Sequence, residues 1–202
     1  PERALHVAEL PPRAGERAEW PRWADPQLVS AWRRRGIDSP WVHQVRAAQT
    51  AWSGGHVVIA TGTASGKSLA YHLPVLTRLR EGERALDGRG DTALYIAPTK
   101  ALAADQLASV AALGEAAPRV ATVDGDTPPE ARRWARDHAG LVLTNPDMLH
   151  AHLLPGHERW SAFWRRLQFV VLDECHHYRG VFGSNVATVL RRLRRVAAHY
   201  RS

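Results

Sequence analysis

Between residues 56 and 173 the chain repeats a short apolar run five times: HVVIA at 56–60, TALYIA at 92–97, RVATV at 119–123, GLVLT at 140–144 and FVVLD at 169–173. These runs are too short for helices and carry little polar alternation, which predicts strands buried on both faces. The stretches between them have lengths that suit crossover helices, so the expected architecture is a mainly parallel α/β sheet with helices on both faces. Two helices precede the first run. Asp25, with Pro26 at the first helical position and Gly36 as the stop, frames one; Ser39, Pro40 and Gly54 frame the other. Thr99 and Thr127 are expected as helix N-caps. Residues 1–24 hold Pro1, Pro11, Pro12 and Pro21 without sustained periodicity and read as an extended arm. The charged, Gly-rich stretch 81–91 reads as a surface loop. The expected organisation is an arm over 1–24, a helical segment over 25–55 and one nucleotide-binding domain over 56–202.

A chain of 202 residues is enough for one well-buried domain. Hydrophobic residues make up 45% and Trp occurs eight times, which excludes disorder. No run approaches the length of a membrane span, and no export signal precedes Cys175, the single cysteine. A cytoplasmic monomer is expected. The net charge of +7 and pI near 10.4 fit a polyanionic partner, although an Arg- and Ala-rich composition also follows from a GC-rich genome. The lysines are more informative. Among 27 basic residues only Lys67 and Lys100 are lysine, and each falls in a motif of its own.

The first is TGTASGKS, Thr61, Gly62, Thr63, Ala64, Ser65, Gly66, Lys67 and Ser68, between an apolar run and a helical stretch. A phosphate loop has this form: backbone amides at a helix N-terminus cradle phosphates, the lysine reaches the β and γ phosphates, and the hydroxyl ligates magnesium. The leading glycine of the pattern is displaced by one position, with Thr61 in its place. FVVLDECHH supplies the acids that such a site needs. Asp173 ends an apolar run where its carboxylate can hold magnesium, and Glu174 follows where it can deprotonate an attacking water. Cys175 reads as a small buried side chain rather than a nucleophile. The adjacent His176 and His177 suggest no third metal ligand.

These motifs together resemble the first RecA-like domain of superfamily 2 helicases of the DEAD/DEAH type, over residues 36–200. Within that superfamily, DECHHYRGVFGSNVATVLRRLRR, DGDTPPEARR and TNPDMLH are similar to the YprA/MrfA-like branch of bacterial DNA helicases and their fungal relatives. The resemblance implies a RecA-like P-loop NTPase fold using ATP and magnesium. It assigns adenine recognition to Gln44 and coupling of the ATP site to nucleic acid to His176, which joins Lys67, Asp173 and Glu174 as catalytic residues. It assigns strand contact to Pro98, Thr99 and Lys100 and to Thr144, Asn145, Pro146 and Asp147, and DNA positioning to the block Gly125, Asp126, Thr127 and Arg132. Gln27 stands where DEAD-type relatives stack an aromatic on adenine; Trp32 and Trp41 read as core residues. The implied partners are single-stranded or partly duplex DNA and a second RecA-like domain of the same protein, with 3′ to 5′ movement and DNA repair as the implied setting. A family domain continues into a further strand between the phosphate-loop strand and the acidic strand, and these 202 residues stop before it. An RNA helicase, a small-molecule phosphoryl transferase and a non-catalytic binding module remain alternatives at this point.

Overall fold

The computed structural model of the protein describes residues 15–61, 66–84 and 90–201. Four of the five apolar runs join one sheet: β1 (Thr92–Ile96), β2 (Val120–Thr122), β3 (Leu141–Thr144) and β4 (Leu167–Leu172). All pairings are parallel, in the order β2-β3-β1-β4. Their alternation sorts side chains between two cores. Ala93 and Tyr95 of β1 face a core that includes Leu28 and Trp32 of α1 (Pro26–Arg34), Leu73 and Leu76 of α3 (Lys67–Glu83) and Val110 of α4 (Lys100–Ala111). Leu94 and Ile96 face the other, where Ala135 of α5 (Pro129–His138), Phe163 and Trp164 of α7 (Ser161–Arg165) and Leu193 of α8 (Gly180–Arg201) pack. Helices on both faces of a parallel sheet are therefore what the chain builds.

The fifth run departs from expectation. HVVIA forms no strand, and Val58 is 85% exposed. A strand needs a hydrogen-bonding neighbour, and among the described residues the sheet ends at β4, whose Val170 is itself half-exposed. The hydrophobic pattern reads burial, whereas the neighbour that would provide it is not among these elements.

The helix signals hold more closely. Asp25 caps α1, accepting from the amides of Gln27 (2.9 Å) and Leu28 (3.1 Å), and Pro26 opens the helix. Gly36 follows its end at φ 82°, in the left-handed region that favours glycine. α2 (Val42–Trp52) starts one residue after Trp41, its N-cap. Thr99 caps α4 through the Leu102 amide at 3.3 Å. Thr127 does not cap α5: Pro128 occupies that position, and the Thr127 hydroxyl accepts from the Asp124 amide at 2.9 Å. A local turn has captured the hydroxyl before the helix begins. Residues 15–24 run across the first helices, with Trp20 stacked on Trp32 at 5.6 Å and Trp23 on Trp52 at 4.3 Å.

Two segments after β3 shape the far side of the sheet. Asn145 accepts from the Met148 amide at 2.8 Å and starts the single-turn α6 (Pro146–Met148). It runs directly into a π-helix over Leu149–Leu153, closed by the Leu154 amide on the Leu149 carbonyl at 3.0 Å.

Candidate nucleotide-binding site

Parallel strands deliver their carboxyl ends to one edge, and the loops there converge. Gly62, Thr63, Ala64 and Ser65 lie outside the described residues. Gly66 is the N-cap of α3 at φ 72°. A Cβ on it would meet Gln44 Nε2 at 2.6 Å, so both conformation and space require glycine. Gln44 is buried. Its Nε2 donates to the Gly66 carbonyl at 2.8 Å and its Oε1 accepts from the Trp41 amide at 2.8 Å, so one side-chain amide fastens the start of α2 to the loop. Gln27, at the position where DEAD-type relatives carry an aromatic, accepts from Arg80; Trp32 is buried in the core, and Trp41 lies under Arg17 at 3.4 Å.

Lys67 opens α3, and its Nζ donates to the Thr61 carbonyl at 3.4 Å and lies 3.8 Å from Glu174 Oε1. His176 Nδ1 is 3.0 Å from Glu174 Oε2. Glu174 is the sole non-glycine residue with positive φ among those described, at 46°. A β-carbon in that region costs about 1–2 kcal/mol, and such strain gathers at functional sites.

Asp173 is held from three directions. Its Oδ1 accepts from the Glu174 amide at 2.8 Å, and its Oδ2 accepts from the Tyr71 hydroxyl at 3.3 Å and from the Tyr95 hydroxyl. Burial, with Asp173 beside it, raises the pKa of Tyr71; Tyr95 is raised by burial, then by Tyr71 and Asp173, so both remain donors. Ser68 also hydrogen-bonds Tyr71, which links the two expected metal ligands, Ser68 and Asp173, through one phenol. Three donors leave about one of the roughly four acceptor positions of a carboxylate. A hydroxyl and a carboxylate with one remaining lone pair fit magnesium held partly through water. Cys175, expected to be buried, is exposed: it opens the short 3-10 turn Cys175–His177 that follows β4, none of whose residues is buried. Glu174, His176 and His177 do bring ligand atoms within 4.8 Å of one another, a grouping that neighbouring histidines alone did not suggest.

The strand-contact candidates occupy the same end of the sheet. Pro98 and Thr99 follow β1, and Lys100 pairs with Asp126, which raises the lysine pKa and lowers that of the carboxyl. Gly125 is exposed, and its carbonyl, like that of Asp124, accepts from Arg132 at 3.1 Å. Asn145 and Asp147 reach the surface region, whereas Pro146 is buried. Thr144 is buried as well, and its hydroxyl donates to the Val123 carbonyl at 2.8 Å. It fixes the loop ends rather than offering a group to a strand. Sequence reasoning missed Tyr71, Tyr95 and Gln106, whose Oε1 lies 3.1 Å from the Tyr71 hydroxyl. A tyrosine inside an otherwise aliphatic buried strand was the available signal, since its hydroxyl must find a partner.

A parallel sheet flanked on both faces, with a lysine-bearing loop opening one helix and paired acids ending the last strand, defines a RecA-like nucleotide-binding lobe. The chain belongs to the DEAD/DEAH box helicase family, whose sequence profile matches residues 41–201. It is 41% identical over its whole length to the ATP-dependent helicase YprA of Bacillus subtilis (strain 168), of which it covers 26%. It is 42% identical, over 86% of its length, to the ATP-dependent helicase hrq1 of Schizosaccharomyces pombe, covering 16% of that protein. The crystal structure of the DUF1998 helicase MrfA bound to DNA and AMPPNP superposes with a TM-score of 0.87 at 41% identity, over 96% of this chain and 27% of MrfA. The chain thus spans about a quarter or less of the length of these three proteins.

Proposed function

We propose that the chain is the ATP-binding N-terminal lobe of an ATP-dependent DNA helicase or translocase, which couples hydrolysis to movement on single-stranded DNA and to duplex unwinding in DNA repair. The observation that carries this reading is the approach of Lys67 to Glu174 at 3.8 Å, from opposite ends of the domain, over the carboxyl edge of the sheet. The DNA in the MrfA structure supports the substrate class. A second RecA-like lobe would complete the site from the open side. The arm over 1–24, the helical segment over 25–55 and the RecA-like domain over 56–202 are the proposed units.

In the proposed cycle the Gly66 turn and the first amides of α3 bind the phosphates, and Lys67 leaves Glu174 for the γ phosphate. Bound magnesium supplies neutralisation of phosphate charge. Ser68 and Asp173 would hold it, with Tyr71 and Tyr95 fixing the carboxylate. Glu174, released from Lys67, orients water and takes its proton, while His176 relays the change toward the strand-end surface. Gln44 joins adenine recognition to the loop. Pro98, Thr99, Lys100, Gly125, Asp126, Asn145 and Asp147 grip a sugar-phosphate chain without reading bases, with Thr144 and Pro146 setting their positions. Cytoplasmic action as a monomer is part of the same proposal; among the described residues no helix is long and apolar enough to cross a membrane.

The test uses the full-length protein. Lys67→Ala is expected to abolish ATP turnover, while Glu174→Gln keeps ATP binding and loses hydrolysis. Undiminished turnover in both removes the assignment. Stimulation of the ATPase by single-stranded DNA is expected to exceed that by RNA of the same sequence; the reverse ranking makes the protein an RNA helicase.

A further inference from the structure

Away from the phosphate loop, α5 and the π-helical segment enclose an open cavity of about 310 Å³. That volume lies at the lower end of the range for small-molecule sites, about 300–1,000 Å³. Its floor is apolar, formed by Val123, Met148, Leu153 and Trp160. Its rim carries Arg132, Arg133 and Arg136 from α5 and Arg159 from the opposite side, with His152 beside them. Asp137 neutralises Arg136 at 2.7 Å. Among the described residues no carboxylate forms a salt bridge with Arg133 or Arg159, and both are exposed.

The backbone around the cavity is unusual. The π-helix carries His152 and Leu153 into the lining, and π segments occur preferentially at functional sites. Gly156 sits so close that a Cβ would meet the His152 carbonyl at 2.9 Å.

Position identifies the occupant. Val123 lies just beyond β2, and Met148 ends the α6 turn that Asn145 caps, so the cavity adjoins the proposed strand-gripping edge. Guanidinium groups bind phosphates bidentately and stack on base planes, and an apolar floor accepts the face of a base. We propose that this cavity is an auxiliary nucleotide pocket, seating one base of the bound strand on the apolar floor with its flanking phosphates on Arg133 and Arg159. The proposal rests on the nucleic-acid reading above and extends the strand path beyond the strand-end motifs.

The experiment measures binding of labelled single-stranded oligodeoxynucleotides to the full-length protein and to its Arg133→Ala/Arg159→Ala variant, across salt concentration and with an abasic site moved along the strand. For the unaltered protein an abasic site at one position is expected to weaken binding about tenfold. The double variant is expected to bind more weakly at every sequence, to flatten the log–log salt slope by about 1.4, and to become insensitive to that abasic position. ATP hydrolysis without nucleic acid is expected to be unchanged. If the variant keeps the slope and the abasic response of the unaltered protein while DNA still stimulates the ATPase, the pocket falls and the motor reading stands. If the slope flattens but no abasic position matters, the arginines bind phosphate only and the base pocket is overturned. If excess mononucleotide removes the variant's deficit by displacing the strand from the unaltered protein alone, the occupant is a free nucleotide and the strand proposal is overturned. Failure of the unaltered protein to bind any strand overturns both readings.

Discussion

His72 sits one residue beyond Tyr71, inside the layer that supports Asp173, and its titration is set by where α3 buries it. Burial lowers the imidazole pKa from 6.5 to about 4, and the nearby Asp173 offsets this only in part. The folded state therefore binds fewer protons than the unfolded chain between those two values. The stability associated with a neutral His72 is complete above about pH 6.5 and is lost as pH falls toward 4. Between pH 7.5 and pH 5 the loss should be about 2 kcal/mol. Replacing His72 by Leu keeps an apolar side chain in the layer and removes the titration, so urea midpoints of that variant should vary less over this interval by that amount. Equal pH dependence in the two proteins would show that another group controls it. At this scale the proposed reactive residues could be picked out because Lys67, Asp173 and Glu174 stand out against their neighbours, and the fold brings Lys67 and Glu174 within 3.8 Å. Their supports were not: Tyr71 and Tyr95 look like ordinary core aromatics until the fold places both hydroxyls on Asp173.

At the scale of elements, α1 depends on one carboxylate that has two tasks. Asp25 caps the helix through the Gln27 and Leu28 amides and lies 3.4 Å from Arg80 Nε and 2.7 Å from Arg84 Nη2. Burial alone would raise its pKa, but the Leu28 amide, the two arginines and the Gln27 amide outweigh it and hold the carboxyl below its usual range. Its contribution is thus present above about pH 4 and is lost as pH falls through the lower folded value. Asp25→Ala removes the cap and leaves Arg80, itself buried, without its counter-charge, a combination that costs about 3–5 kcal/mol. Chemical denaturation at neutral pH checks it, and a loss below about 1 kcal/mol would mean that the pair behaves as a surface contact. The cap was readable from Asp25-Pro26; the ion pair was not, since it joins residues far apart in sequence. The π-helix after TNPDM was unreadable for a related reason: a single bond between residues five apart leaves no periodic trace in so short a segment.

For the whole molecule, the one strand that sequence overcounted is the most instructive. HVVIA has every feature of a buried strand, yet hydrogen-bonded pairing is a property of two segments, and a pattern within one reports only half of it. The runs at 92–97, 119–123, 140–144 and 169–173 found neighbours in one another, which is why the parallel sheet was legible. HVVIA leads into TGTASGKS, and its exposed Val57 and Val58 have no sheet neighbour among the described residues. The opposite acids directly follow β4, which has no neighbour on its outer side among the described residues. The two halves of the site are therefore joined mainly through α3, the Lys67–Glu174 contact and the tyrosine pair. On the proposed function, an arginine finger supplied by a facing lobe would add about 10³–10⁵ in rate to a site of this kind. The 202 residues alone are expected to bind a fluorescent ATP analogue weakly and to separate no duplex, and the full-length protein is expected to hydrolyse ATP when a strand is present. Strand-displacement assays on both forms check it, and duplex separation by the 202 residues at the full-length rate would mean that this lobe is already a complete motor.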